Sequence, residues 1–215
     1  MAYGVPSFRN PRRSTSLPRY FAIYKPYGML SQFSRDTPGQ STLADLEFDF
    51  PKDVYPLGRL DADSEGLLLL TNDKTLTDKL LNPKNAHPRT YWAQVEGMPD
   101  EVALGRLRQG VALQIDGQAH HTRPAQARLL PEPPPLPDRH PPVRFRKTVP
   151  DSWLELALIE GKNRQVRRMC AAVGFPVLRL VRVQIEQLTL DSLQPGEVRE
   201  LTTEQVRQVL GKTGV

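Results

Sequence analysis

Gly58-Arg59-Leu60-Asp61-Ala62-Asp63-Ser64-Glu65-Gly66-Leu67-Leu68-Leu69-Leu70-Thr71 is the stretch that orients the reading of this chain. Two glycines bracket a loop rich in acids, and the loop runs straight into four consecutive leucines. A short unbroken apolar run bounded by turn residues is the pattern of a buried strand. A carboxylate in the loop before it is carried by a rigid element yet stays reachable, as a catalytic group must. Asp61 is therefore the first candidate, with a solvated acidic turn as the bland alternative. A calcium loop would also begin with Asp61, Asp63, Glu65 and Gly66. It fails further on, because leucines stand where ligands should continue and Asn72 stands at the closing Glu position.

Outward from this stretch, Arg19 to Tyr24 is a β-rich run that stops at Pro26 and the turn-forming Gly28. Ser41 or Thr42 can cap a short helix carrying Leu43 and Leu46, and Val54 to Leu57 is a short extended run. Asp73 or Thr75 opens a helix that buries Leu76, Leu80 and Leu81 and ends before Pro83. Thr90 to Val95 reads as a strand. Pro99 or Asp100 begins a helix with Val102, Leu104 and Leu107 inward, ended by Gly110. Further β runs are expected at 111–115, 125–130, 153–159, 177–183 and 185–190, with a helix over 163–173 and a last helix capped by Thr203. Residues 131–142, rich in proline, form a stiff surface excursion. Unevenly alternating strands and helices of this kind predict an α+β fold with a mixed, mainly antiparallel sheet.

A second segment, Glu160-Gly161-Lys162-Asn163-Arg164-Gln165-Val166-Arg167-Arg168-Met169, combines two faces. Helical spacing puts Val166, Met169, Cys170 and Val173 on one stripe. Arg164, Arg167 and Arg168 fall on the other side at i, i+3 and i+4, with no acid interleaved. Like charges so placed repel, and a phosphate backbone would relieve them. The expectation is an RNA-facing cationic surface. The third segment, His87-Pro88-Arg89-Thr90-Tyr91-Trp92, places a tyrosine on a strand, usually a packing position. His87, His120, His121 and His140 have no metal-ligand spacing and read as surface or loop residues. No phosphate-binding glycine loop and no nucleophilic serine elbow is present.

The 215 residues carry a formal net charge of +5 with pI near 9.5, which points to a polyanionic partner. One cysteine, Cys170, allows no internal disulfide, so a reducing, cytoplasmic setting is the default. No run approaches the roughly 20 apolar residues that cross a bilayer. Residues 1–18 read as a disordered basic arm with Arg9, Arg12 and Arg13; Pro6, Pro11 and Pro18 would break the amphipathic helix of a transit peptide.

Taken together, these segments resemble the pseudouridine synthase superfamily, in the branch that modifies ribosomal RNA. Gly58 to Asp61 with its leucine-rich continuation resembles the signature around that family's catalytic aspartate, and Tyr20 to Gly28, with Lys25-Pro26, its opening motif. Arg89-Thr90-Tyr91 is similar to its basic-x-Tyr motif and Glu160 to Met169 to its basic C-terminal motif. The resemblance covers about Tyr20 to Leu201. Pro141 to Arg144, Lys147 and Pro150 to Leu154 look most like the E-type synthases of large-subunit (23S) rRNA. Too little sequence precedes Tyr20 for the S4 RNA-binding module of many relatives.

The resemblance implies a catalytic domain over 19–215, built as two subdomains around a bent sheet with a cleft between them. It implies Asp61 as nucleophile or base, Tyr91 over the uracil ring and Lys162 as the basic partner of Asp61. Leu180 is a candidate for the apolar side of the pocket. Arg59 would fill the vacated stack or hold phosphates, with Arg164, Gln165, Arg167 and Arg168 as further RNA contacts. The implied reaction moves the glycosidic bond from N1 to C5 of one uridine. It oxidises nothing and adds no atom, so no cofactor and no metal is called for. The expected partner is 23S rRNA, free or in an assembling subunit, met by a monomer. A non-catalytic RNA-binding or ribosome-assembly protein on the same fold is the alternative; it would need only the basic face.

Overall fold

The computed structural model describes residues 17–143 and 149–209. Most of the expected basic arm, and Arg144 and Lys147 of the E-type motif, lie outside the described residues.

The leucine run is the core of a strand, and the chain builds outward from it. Strand β1 (Tyr20–Lys25) is followed by a two-residue parallel pair, β2 (Met29–Leu30) with β3 (Ser41–Thr42), and by β4 (Tyr55–Pro56). The leucine strand is β5 (Glu65–Thr71), leading to helix α1 (Lys74–Leu81) and β6 (Arg89–Glu96). Then come α2 (Glu101–Gln109), a hairpin of β7 (Ala112–Ile115) and β8 (Gln118–His121), β9 (Gln126–Leu129) and β10 (Asp151–Leu158). The chain continues with α3 (Gln165–Ala172), β11 (Val177–Ile185), β12 (Leu188–Thr189), β13 (Val198–Leu201) and α4 (Thr203–Val209). The main sheet runs β13-β1-β5-β11-β6-β10-β9, with β4 and β12 attached at its side. Among the described residues its pairings are antiparallel except for β5 with β11.

Every residue of β1 and β5 is buried because both faces of this half are covered. Tyr20, Ala22, Leu67, Leu69, Leu76, Leu80 and Val206 form a core on one face, beneath α1 and α4. Phe21, Ile23, Leu68 and Leu70 form another on the opposite face, against Leu43, Val54 and Leu60, with Phe48 and Phe50 packing edge-on to Phe21. A third core on the β6–β10–β9 half takes Leu104 and Leu107 from α2 and Val166, Met169, Cys170 and Val173 from the α3 end. The apolar stripe expected on α3 is the one that packs.

Several expectations need correction. Leu81 and Val102 are 44% and 72% exposed; Ala103 takes the inward place on α2. The helix expected from Ser41 or Thr42 is a single 3-10 turn, Leu43–Asp45. The last helix is capped by Thr202, not Thr203: the Thr202 hydroxyl accepts from the Gln205 N–H, and the Gln205 side chain accepts from the Thr202 N–H. His120 and His121 lie on strand β8, which the polar sequence did not advertise. His87 is buried, its Nδ1 2.5 Å from Glu186 Oε1 and its Nε2 3.2 Å from the Lys79 carbonyl oxygen. The proline-rich segment has no regular structure, as expected, but it is fastened down. Leu136 packs on the first core, the Pro137 carbonyl accepts from Arg179, and the Arg139 guanidinium lies 4.2 Å over the Tyr27 ring.

The two halves of the sheet meet where Glu65 and Gly66 pair with Val181 and Arg182. Gly66 sits at φ +103, and a Cβ there would stand 2.3 Å from the Arg182 carbonyl oxygen and 2.8 Å from its nitrogen. Only glycine permits this approach. Gly66→Ala is expected to destabilise the protein by about 2–3 kcal/mol, from backbone strain plus overpacking. Chemical denaturation checks this through a lowered midpoint.

Candidate active site

The loop from Gly58 to Ser64 holds its shape through backbone and buried side-chain bonds. The Ser31 hydroxyl donates to the Leu60 carbonyl at 2.8 Å and accepts from the Leu60 N–H at 3.0 Å. The Gly28 N–H donates to the Ala62 carbonyl, and the Ser64 N–H to the Asp61 carbonyl, closing a tight turn. Just beyond, Glu65 forms a buried bidentate ion pair with Arg179 at 2.9 and 2.8 Å. Asp61 is thus set by an anchored turn, with its side chain 40% exposed toward a cavity of about 700 Å³.

That cavity gathers residues from distant parts of the chain. Arg59, Asp61, Tyr91, Lys162, Arg164, Gln165 and Leu180 all line it, with Arg89, His87 and Arg182. Leu180 is buried and packs beside Tyr91, whose ring also touches the core that contains Leu60. Among the described residues the cation within ion-pair range of Asp61 is Arg164, at 3.6 Å; Lys162, the basic partner that the resemblance implied, is not within that range. Lys162 is exposed and lines the same cavity, and its backbone N–H is held by the Gln165 side chain.

The expected cationic stripe is rearranged. Arg164 is not a helical residue but the N-cap of α3, at φ 50, and it grips Asp63 with two bonds of 2.9 and 2.8 Å. Arg167 is turned inward: it donates to the carbonyls of Asp63 and Val177, and burial lowers its pKa from the ordinary value. Arg168 donates to the Gln114 carbonyl and to Asn163, latching the β7–β8 hairpin onto α3. Gln165 is buried and bonds Glu160. Arg167, Arg168 and Gln165 thus brace the frame of the site, and Gln165 also lines the cavity. Burial alone would raise the Asp63 carboxyl; the Arg164 bonds and the Arg167 charge outweigh it and hold Asp63 below its usual range.

Two functional-looking residues were given no role in the sequence reading: Lys25, quoted only as part of the opening motif, and Arg182. Lys25 and Arg182 lie in one cross-strand row with Gly66 and Tyr91, running β1–β5–β11–β6. Lys25 is fully buried beneath the acidic loop, and its Nζ donates to the carbonyls of Pro26 and Met29. The available signal was Lys25 at the end of one β-patterned run and the two arginines, Arg179 and Arg182, inside another.

The family model described as RNA pseudouridylate synthase matches residues 19–172. The chain belongs to the RNA pseudouridylate synthase family. Among its relatives, the ribosomal large subunit pseudouridine synthase E of Xanthomonas axonopodis pv. citri is 59% identical over 174 residues, spanning 80% of this chain and 88% of the relative. The ribosomal large subunit pseudouridine synthase B of Bacillus subtilis is 38% identical over 192 residues, 89% of this chain and 71% of the relative. A crystal structure of a pseudouridylate synthase superposes with TM-score 0.73 at 29% identity, over 91% of this chain and 75% of that one. No helix among the described residues of this synthase is long and apolar enough to cross a membrane. Among those residues no group of three His, Cys, Asp or Glu side chains could hold a metal ion.

Burial lowers the Lys25 pKa from 10.5 to about 8, against the opposing pull of Glu65, Asp63 and Asp61. Between pH 8 and 10.5 the unfolded chain holds a proton that the folded one has released, so this residue's contribution to stability rises with pH across that window. The unfolding free energy of the wild type relative to Lys25→Met is expected to increase from pH 8 to 10.5, measured by urea denaturation.

Proposed function

We propose that this synthase converts one uridine of large-subunit ribosomal RNA to pseudouridine, with Asp61 as its catalytic carboxylate. The observation that carries the assignment is the placement of Asp61, on an anchored turn beside Arg164, in a cavity that also presents Tyr91, Lys162 and Leu180. The relatives named large subunit pseudouridine synthase E, to which the chain is similar over most of their length, support the choice of substrate. A non-catalytic RNA-binding protein would not need these groups to converge.

The target base is stacked in folded RNA and must be extruded, at a cost of a few kcal/mol. Arg59 is exposed at the rim of the cavity, placed to occupy the vacated stack or hold a phosphate. Asp61 attacks C1′ or removes a sugar proton, and for either task it must be ionised. The Arg164 cation favours that form where loss of water would oppose it. Lys162, lining the same cavity, supplies positive charge to the phosphates or to the departing uracil. Leu180 and the Tyr91 ring grip the detached base while it turns, and Tyr91 takes the C5 proton at the end. The two halves of the sheet serve as the two subdomains that grip the RNA. The chain works as a cytoplasmic monomer on 23S rRNA or on the assembling large subunit.

Asp61→Asn is expected to abolish turnover while RNA affinity stays within about 2-fold, because it removes charge from the reaction and not from the phosphate contacts. Mapping pseudouridines across the ribosomal RNA of a strain deleted for the gene should show one lost site in the large subunit. Complementation with Asp61→Asn should fail to restore it, and restoration would overturn the assignment. Arg59→Ala combined with Lys162→Ala should weaken RNA binding and flatten its salt dependence by about 1–2 units of slope. Arg167→Ala should instead lower thermal stability, read by calorimetry.

A further inference from the structure

Arg182 stands on β11 opposite Tyr91 on β6, and opposite Gly66 on β5. Paired residues of antiparallel strands project on the same face with Cβ atoms about 4.5–5.5 Å apart, so Arg182 and Tyr91 are side-by-side neighbours. Both line the cavity that holds Asp61. Arg182 is only 4% exposed, and its Nε donates to the Leu67 carbonyl at 2.8 Å, which fixes the plane of the guanidinium. Its Nη2 is enclosed and makes no hydrogen bond.

Among the described residues no carboxylate lies within 4.0 Å of this guanidinium. Arginine does not lose its proton in proteins, so a full positive charge sits in the cavity wall without a counter-ion. Burial pushes its pKa down; the Tyr91 phenol is the group that most offsets this, while Arg89 adds to the penalty. Natural structures rarely bury a free donor without a reason connected to function. The acceptor that suits this one is an oxygen beside it that gains negative charge during turnover.

We propose that Arg182 is a positioning residue acting through Tyr91: it holds the phenol oxygen over the base and stabilises negative charge there. The proposal rests on the Asp61 and Tyr91 roles given above. When uracil has rejoined the sugar through C5, that carbon carries both the sugar and a hydrogen, and N1 is doubly bonded to C6. The Tyr91 phenol oxygen takes the C5 proton while its own hydrogen passes to a water, which hands a proton to N1. The C5–H electron pair becomes the C5–C6 double bond, and the former N1–C6 π pair moves onto N1, where that proton lands. Tyr91 ends as the neutral phenol it began as. The adjacent guanidinium stabilises the negative charge that gathers on the phenol oxygen during this exchange. Gly66 keeps the row beside Arg182 free of any side chain that could compete for it.

The test uses the purified full chain on large-subunit RNA from the deletion strain, with kcat and KM followed from pH 6 to 10. Arg182→Met is expected to lower kcat about 100-fold at pH 7 with KM little changed, the size of a general-base contribution. Its kcat–pH profile should be displaced to higher pH relative to the wild type, because negative charge gathering on the phenol oxygen is no longer stabilised. In a Tyr91→Phe background the same substitution should add no further loss. Arg182→Lys, which keeps a charge but reaches less well, should show a smaller upward shift of the profile; if the Met variant does not fold, this shift decides the matter. An unshifted profile, or a loss that multiplies with that of Tyr91→Phe, would overturn the role of Arg182. Asp61→Asn separates the two readings: if it turns over, the Asp61 assignment fails, whereas if it is inactive and Arg182 variants keep the wild-type profile, only the present inference fails.

Discussion

The closest backbone approach in the site is the one on which the rest depends: β5 lies parallel to β11 at Glu65–Gly66 with no side chain between them at Gly66. That contact joins one half of the sheet, which carries the Asp61 turn, to the other, which carries Tyr91. Because Gly66 follows Asp61 by five residues and Arg182 pairs directly with Tyr91, the spacing of two strands sets the spacing of the candidate groups Asp61 and Tyr91. A bulkier residue at position 66 would wedge the halves apart. The buried pair of Glu65 and Arg179 clamps the same junction and reaches on to Pro137, so the proline-rich segment is tied to the site's frame.

Electrostatics in the site follow a division of labour between braced and free cations. Arg164 and Arg167 neutralise Asp63 and hold the Asp61 turn, at the cost of their freedom to meet phosphate. Lys25 lies under the turn with its charge weakened by burial, and Arg182 lies in the wall with its charge uncompensated. Arg59 and Lys162 remain exposed at the rim. A net charge of +5 therefore overstates how much of the molecule is available to bind RNA, because much of the positive charge near the cleft is structural.

Much of the fold was legible. The leucine run, the Asp73 cap of α1, the apolar stripe of α3 and the strands of the β6–β11–β10 half carry strong local signals, and they formed within a residue or two of expectation. The polar strand β8 and the short β13 were not visible, since their pairing partners supply what their own sequences lack. Leu81 and Val102 were placed inward on periodicity alone, but each helix is covered on a narrower face than its apolar residues span. His87 lies in a loop, as expected, but its burial was not legible because nothing local announces Glu186, its partner 99 positions away.

By itself the sequence determined the family and most of the order of the strands and helices, and it singled out the candidate carboxylate and tyrosine, because each rests on local periodicity or on a contiguous motif. Which cation sits beside Asp61, which arginines brace the loop and which face outward, and that Lys25 and Arg182 share a row with Tyr91 were decided only by the tertiary structure. The reason is physical. A side chain's charge acts over a few ångströms of space, and the partners here lie 104 residues apart for Arg167 and Asp63 and 115 for Arg182 and Leu67.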